Sequence, residues 1–177
     1  MHEQVVQRLG LDAIAYVAPA AADNTWYPKG FMAAIEENEP RLTFALERLS
    51  ALSDDLAGRG YPYSAQVVLG FSQGSCLGSE FVYRRRRRYG ALIGFTGGLV
   101  GAAGTRWDAE TDAFRGMPVF LGGSDVDPWV PVSRILETAE VFRRLQATVS
   151  CRIYPSMGHE ICDDEIGHAR EILAALR

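Results

Sequence analysis

Two kinds of apolar pattern alternate along the chain. Short apolar runs, bounded by glycine, proline or polar residues, are typical of strands that are covered on both faces of a sheet. Longer segments repeat an apolar residue every three or four positions, which is the period of a helix with one buried face. The alternation predicts an α/β fold with a mainly parallel sheet and helices on both faces. The predicted strands are Ala13–Ala18, Ala65–Gly70, Ala91–Phe95, Pro118–Gly122 and Val149–Tyr154.

Four helices are predicted from the longer segments. The first begins at about Pro40 and ends at about Leu56, because leucines recur on one face and proline suits a first helical turn. The second extends from Ser72 to about Arg86, directly after the second strand. The third has its apolar face along Ile135–Leu145 and the last along Ile166–Leu176.

Composition and charge fit one globular domain that spans residues 1–177. The net charge of -4 gives no overall field that favours nucleic acid, and Arg84–Arg88 is interpreted as a solvated helix end. No uncharged apolar run reaches the roughly 18 residues of a membrane span, so stable membrane insertion is not expected. The three cysteines lack the spacing of a metal site and are predicted to be free thiols. Free thiols are typical of a reducing compartment, so a cytoplasmic protein is expected.

The most informative segment is Gly70-Phe71-Ser72-Gln73-Gly74, which follows an apolar strand and opens a predicted helix. A G-x-S-x-G sequence in this context indicates a nucleophile elbow, a strained turn that projects the serine hydroxyl above the sheet. Side chains at both glycines are expected to collide with neighbouring backbone. The backbone N–H of Gln73 lies at the helix start, where it can stabilise an oxyanion.

A serine hydroxyl needs a base to take its proton, and the chain holds three histidines. His2 lies at the terminus, and His168 lies within the last predicted helix. His159 lies in the loop between the last strand and the last helix, and a strand-end loop can reach the elbow across the top of the sheet. His159 is therefore the predicted base, with a surface loop histidine as the alternative.

Two aspartates, Asp125 and Asp127, follow the fourth predicted strand and could orient the base. Asp127 precedes a proline, which favours an extended conformation. Asp125 could instead form or cap a turn, the commonest role of a loop aspartate. The chain order Ser72, Asp127, His159 is the order found in α/β hydrolases and differs from that of chymotrypsin and subtilisin folds.

These segments together resemble the phospholipase/carboxylesterase family of α/β hydrolases, which includes the acyl-protein thioesterases. The resemblance covers nearly the whole chain and implies that the aspartate of Asp127-Pro128-Trp129-Val130-Pro131 is the acid. It also implies hydrolysis of small-molecule carboxylic esters, thioesters or lysophospholipids, without a metal or an organic cofactor. The matching segments are Asn24-Thr25-Trp26-Tyr27-Pro28, Gly70–Gly74, Gly94–Leu99, Asp125–Pro131 and Gly158–Ile161.

Apolar residues in the loops suggest where an acyl group binds. Trp26, Leu99 and Trp129 are the predicted substrate-binding residues, and the two tryptophans lie in loops expected at the top of the sheet. Ordinary packing is the alternative for each.

The front of the chain departs from the family pattern. Members of the family begin with further strands and an HGxG-type loop, which supplies a second oxyanion N–H, before a helix equivalent to Glu3–Leu9. This sequence is therefore interpreted as lacking these N-terminal segments, either because the given sequence omits them or because the protein is a shortened variant. The alternative to an active enzyme is a catalytically impaired relative that binds acyl ligands or acts as an interaction module. A homodimer formed through exposed apolar surface is a separate expectation.

Overall fold

The computed structural model describes residues 5–109 and 111–176, and within them it contains one parallel sheet of four strands. The strands β1 to β4 lie side by side in chain order. Their bounds are Val67–Phe71, Ala91–Phe95, Pro118–Ser124 and Thr148–Tyr154. The helices α1 to α6 are Gln7–Leu9, Ile35–Asn38, Arg41–Gly58, Gln73–Arg85, Val132–Arg144 and Asp163–Ala175.

Four of the five predicted strands and all four predicted helices are confirmed, with small shifts of their ends. The strand predicted at Ala13–Ala18 is wrong, because this segment is irregular and mostly exposed. A strand needs a neighbour to accept its backbone hydrogen bonds. No strand pairs with this segment within the described part of the chain, although Ile14 packs against the core.

Helices cover both faces of the sheet because apolar residues point alternately to each side of the strands. Val119 and Leu121 of β3 face the larger core cluster, which helices α3, α4 and α5 cover. Phe120, between them, faces a second cluster that α6 covers together with α1. The expected α/β architecture with helices on both faces is therefore confirmed.

The outer strands are less covered than the central ones. Every residue of β2 is buried, whereas four of the five residues of β1 are only half-buried. Among the described residues, β1 pairs with β2 alone, so its other edge carries unpaired backbone groups. None of the helices that the structure describes is long and apolar enough to cross a membrane.

The parallel arrangement determines where the functional loops meet. All four strands end at the same edge of the sheet, so the segments after β1, β3 and β4 converge there. Such an edge, formed by the carboxyl ends of parallel strands, is where α/β proteins place their binding sites. Residues 72, 125–130 and 155–162 belong to these segments.

Candidate active site

Ser72 occupies a tight turn between β1 and α4. Its backbone has φ 54° and ψ −125°, a region that a residue with a side chain rarely adopts and that functional turns tolerate. The Ser72 N–H donates to the carbonyl oxygen of Phe95 at 3.0 Å, which ties the turn to β2. The Cys76 N–H donates to the Ser72 carbonyl oxygen, also at 3.0 Å, and this bond begins the helical pattern of α4.

The two glycines of this turn are not equivalent. A Cβ atom at Gly70 would lie 2.3 Å from the carbonyl oxygen of Gly74, so the backbone of the turn would have to shift to accommodate it. A Cβ atom at Gly74 would meet nothing within 4 Å among the described residues outside its own helix. The predicted collision is therefore confirmed at Gly70 and wrong at Gly74, which lies on an open side of the first turn of α4.

The loop after β4 brings His159 to Ser72. The imidazole Nε2 lies 2.9 Å from the Ser72 hydroxyl oxygen, and Nδ1 lies 2.7 Å from Oδ2 of Asp127. The ring also packs against the ring of Phe71, with 4.9 Å between their centroids. The side chain of His159 remains 23 % exposed, so part of the imidazole is accessible to solvent.

The carboxylate of Asp127 is fully shielded, with a side-chain exposure of 0 %. Its Oδ1 accepts hydrogen bonds from the backbone N–H groups of Trp129 at 2.7 Å and Val130 at 2.8 Å. Burial alone would raise the pKa of Asp127. The bonds from Trp129, His159 and Val130 outweigh burial and hold this pKa below its ordinary value. The group is therefore an ionised acceptor, and its Oδ2 requires a proton on Nδ1 of the imidazole.

Asp125 has a different role in the structure. It is exposed, and its Oδ1 accepts a hydrogen bond from the Ser156 N–H at 2.7 Å, which joins the loop after β3 to the loop after β4. It makes no hydrogen bond to His159. The sequence left two aspartates as candidates, and the structure brings Asp127 to the imidazole.

Ser124 is a buried contact that the sequence analysis missed. Its hydroxyl donates to the Met157 carbonyl oxygen and accepts from the Val126 N–H at 3.1 Å. These two loops carry Asp127 and His159, so Ser124 is a second link between them, beside the bond between Asp125 and Ser156. A polar residue at the end of an otherwise apolar strand is the only signal in the sequence.

Gln73 contributes both its backbone and its side chain. Its N–H is the first of α4, where a helix has no carbonyl of its own to pair with. Its side-chain amide bonds to the backbone of Trp26 and Tyr27, 46 to 47 positions earlier in the chain. The position of Gln73 after Ser72 predicts the first feature, whereas no pattern in the sequence indicates the second.

The predicted substrate-binding residues lie in different surroundings. Trp129 is 72 % exposed directly beside Asp127, and Trp26 is half-buried next to Gln73. Leu99 is fully buried in the larger core cluster, where its N–H donates to the Thr138 hydroxyl. Its surroundings are those of a packing residue, and it is not included in the substrate site proposed below.

A cavity of about 200 Å³ lies beside the imidazole, and Arg8, Phe71, His159, Glu160 and Ile161 line it. A larger cavity of about 440 Å³, between α5 and the segment Thr105–Trp107, includes none of the residues discussed above. Within the described residues, no cluster of three or more His, Cys, Asp or Glu side chains could hold a metal ion.

The front of the chain reaches the same region. The Arg8 guanidinium donates to the Ile161 carbonyl oxygen at 2.7 Å and pairs with Asp163 at the start of α6. A helix was anticipated at Glu3–Leu9, and α1 spans Gln7–Leu9 of this segment. Residues 3 and 4 of the anticipated helix, and His2 before them, lie outside the described residues.

Comparisons with known proteins agree with this architecture. Acyl-protein thioesterase 1 of Gibberella zeae is 30 % identical over 109 residues, which cover 60 % of this chain and 46 % of that protein. The chain thus matches less than half the length of that curated relative.

Solved structures give wider coverage. The crystal structure of a phospholipase/carboxylesterase from Dyadobacter fermentans matches 87 % of this chain and 73 % of its own, with a TM-score of 0.81 and 36 % identity. A variant of Arabidopsis thaliana SOBER1 matches 99 % of this chain and 92 % of its own, with a TM-score of 0.78. At 15 % identity, this second likeness shows the fold alone. A family model described as phospholipase/carboxylesterase matches residues 12–177, and the chain therefore belongs to that family of α/β hydrolases.

Proposed function

We propose that this protein hydrolyses carboxylic esters or thioesters through an acyl-enzyme formed on Ser72. The observation that carries the proposal is a continuous series of hydrogen bonds between three side chains. It joins the Ser72 hydroxyl to Nε2 of His159 at 2.9 Å, and Nδ1 of the same ring to Asp127 at 2.7 Å. Nucleophile, base and orienting acid in this arrangement are the components of acyl transfer in serine hydrolases.

Acylation begins when the Ser72 oxygen attacks the acyl carbon while His159 takes the hydroxyl proton. The charge that develops on the imidazole faces the ionised carboxylate of Asp127, which also keeps the proton on Nδ1. The tetrahedral intermediate collapses as His159 returns the proton to the departing alcohol or thiol. Ser72 then carries the acyl group as an ester.

Deacylation repeats the same steps with water. His159 removes a proton from a water molecule, whose oxygen attacks the acyl carbon of the ester on Ser72. When the second intermediate collapses, the proton passes to the Ser72 oxygen and the carboxylic acid leaves. The partial exposure of the His159 side chain lets water reach the ring.

The oxyanion of each intermediate needs donors that are already oriented. The Gln73 N–H lies at the start of α4, where the helix dipole and the missing intrahelical acceptor both favour a negative charge. One donor of this type contributes a factor of about 10²–10³ to turnover in serine hydrolases. Gln73 is therefore the proposed oxyanion donor of this chain.

The substrate class follows from the family and from the groups around the triad. A carboxylic ester or thioester presents the acyl carbon that this chemistry requires, and the relative from Gibberella zeae is named an acyl-protein thioesterase. Two tryptophans lie in loops that are bonded to the site: the Trp26 N–H donates to the Gln73 side chain, and the Trp129 N–H donates to Asp127. We assign both to contact with the acyl group.

Activity-based labelling tests the proposal. A fluorophosphonate should label the wild-type protein at Ser72, and p-nitrophenyl butyrate should be hydrolysed. Ser72→Ala should lose labelling, and turnover should fall by on the order of 10⁶-fold, the usual effect of removing a triad serine or histidine. His159→Ala should lose turnover to a similar extent.

A matched control is His168→Ala, because His168 on α6 has the same side-chain exposure of 23 % and its ring nitrogens face Asp164 and Glu171 on the same helix. It should leave turnover unchanged. A folded wild-type protein that binds the ester without labelling or hydrolysis would contradict the proposal and favour the binding module. Hydrolysis that survives Ser72→Ala would also contradict it.

A further inference from the structure

The side chain of Gln73 pairs with the backbone of a distant loop. Its Oε1 accepts the Trp26 N–H at 2.9 Å, and its Nε2 donates to the Tyr27 carbonyl oxygen at 3.0 Å. Nε2 also donates to the Thr25 hydroxyl oxygen at 3.1 Å. One amide thus satisfies three polar groups of a loop that precedes α2, while the backbone N–H of the same residue begins α4.

The pairing admits one orientation of the amide. A reversed side chain would direct its NH₂ group at the Trp26 N–H and its oxygen at the Tyr27 carbonyl, so donors would face donors and acceptors would face acceptors. Glutamate keeps the acceptor for Trp26 but has no proton for Tyr27 when ionised. Methionine has a similar length and replaces neither hydrogen bond.

The loop is anchored on its other side as well. Arg41, at the start of α3, donates from Nη2 to the carbonyl oxygens of Ala22 at 2.9 Å and Thr25 at 3.1 Å. The Tyr27 side chain is 1 % exposed in the larger core cluster. Between these anchors, the indole of Trp26 is only half-buried. Of these anchors, the Gln73 side chain is the one that ties the backbone of Trp26 to the residue that directly follows Ser72.

We infer that Gln73 is a positioning residue whose side chain sets the acyl-chain preference of the site by holding Trp26 as a wall. The inference rests on the proposed function. An acetyl group has a single methyl beyond the reacting carbon and is too short to contact Trp26. A longer chain buries its methylenes against apolar surface, and each buried methylene favours binding by about fourfold.

A selectivity measurement tests this role. The quantity is kcat/KM for p-nitrophenyl octanoate divided by kcat/KM for p-nitrophenyl acetate. We expect this ratio to fall at least about tenfold in Gln73→Met, which corresponds to two lost methylene contacts. Any change at the oxyanion affects both esters and cancels in the ratio. Trp26→Ala should lower the ratio by a similar factor.

The double variant Gln73→Met/Trp26→Ala separates an effect of Gln73 on the position of Trp26 from a general loss of order in the site. If Gln73 acts through Trp26, the second substitution has little left to remove, and the ratio should fall by less than about twofold further. Independent effects would multiply instead. Should Gln73→Met fail to fold, Gln73→Glu provides the same cycle, because it keeps the acceptor and loses the donor.

Gln66 supplies a matched control at the opposite end of β1. Its amide is bonded in a similar way: Nε2 donates to the carbonyl oxygens of Ser53 at 2.9 Å and Tyr61 at 2.8 Å. Gln66→Met should leave the selectivity ratio at its wild-type value. The inference would be overturned if the ratio in Gln73→Met also matched wild type, or if the effects of the two substitutions multiplied in the double variant. Either result would leave the proposed function standing. A wild-type protein that hydrolyses neither ester would overturn the proposed function and the inference with it.

Discussion

Ser124 donates a hydrogen bond to the carbonyl oxygen of Met157 and thereby joins the loops after β3 and β4. The same hydroxyl accepts the N–H of Val126, one residue before Asp127. Met157 precedes His159 by two positions. A buried hydroxyl that touches neither Asp127 nor His159 therefore helps to hold the two loops that carry them.

Replacing this hydroxyl should weaken both stability and turnover. Ser124→Ala leaves the Met157 carbonyl and the Val126 N–H without partners, which costs about 1–3 kcal/mol of unfolding free energy. Turnover should fall at least about tenfold because small misplacements of catalytic groups are expensive. Urea unfolding and kcat for p-nitrophenyl butyrate measure the two effects.

Ser79→Ala is the control, because Ser79 is buried on α4 and its hydroxyl has no partner among the described residues. Its unfolding free energy should stay within about 0.5 kcal/mol of wild type or rise. Equal losses in both variants would show that Ser124 acts by packing alone.

The acid should act through the tautomer of the imidazole. In Asp127→Asn, one oxygen can still accept the N–H groups of Trp129 and Val130, so the fold is retained. The amide nitrogen then faces Nδ1 of His159 and favours the wrong tautomer, and kcat should fall by about 10⁴-fold. Asp125→Asn, which keeps the acceptor for the Ser156 N–H, should stay within about threefold of wild type. A larger loss in Asp125→Asn than in Asp127→Asn would reverse the assignment.

The two glycines of the Ser72 turn should respond in opposite ways to alanine. At Gly70 the added methyl would collide with the Gly74 carbonyl, so Gly70→Ala should lose about 1–3 kcal/mol of stability and about 10²-fold in turnover. Gly74→Ala meets open space and should be neutral or stabilising by up to about 1 kcal/mol. Thermal unfolding and ester hydrolysis of the two variants test the contrast, and similar losses in both would refute it.

Glu165 gives the stability an unusual pH dependence. The carboxyl is fully buried on α6; one oxygen accepts the Cys162 N–H at 2.9 Å, and the other has no partner among the described residues. Burial raises the pKa of Glu165 from 4.5 to about 7, although the Cys162 N–H and the charge of Arg8 oppose this change. The folded protein therefore holds this proton more tightly than the unfolded chain does.

The sign of the effect follows from linkage. A folded pKa above the unfolded one stabilises the protein at low pH, and that stabilisation is lost as the pH rises from about 4.5 through about 7. The unfolding free energy of wild type, relative to Glu165→Gln, should fall by on the order of 2 kcal/mol between pH 5 and pH 8. Urea unfolding at the two pH values measures this difference. A constant difference would show that Glu165 keeps an ordinary pKa.

The sequence predicted the framework well because its signals are local. Apolar runs bounded by glycine or polar residues, such as Ala91–Phe95, indicate strands that are buried on both faces. The Gly70–Gly74 segment predicts a tight turn because an apolar strand precedes it and a helical pattern follows it. Since parallel strands end at one edge, the proximity of Ser72 and His159 also followed from the element order. Their catalytic roles stay a prediction until labelling tests them.

What the sequence could not predict depends on partners that are distant in the chain. Ala13–Ala18 has the composition of a strand, yet pairing is decided by a neighbour, and composition does not reveal one. Leu99 lies in a loop, but this loop is covered by α5, so the side chain is buried. The contacts of the Gln73 amide depend on the path of a loop almost 50 positions away.

Because β1 and β4 lie at opposite margins of the sheet, the reactivity of Ser72 should depend on assembly of the whole sheet. The hydrogen bond between Ser72 and His159 joins positions 87 residues apart and spans the full width from the first strand to the last. An intermediate that has assembled β1 to β3 already contains Ser72 and Asp127, yet it lacks His159. Recovery of labelling during refolding therefore times the docking of the final strand.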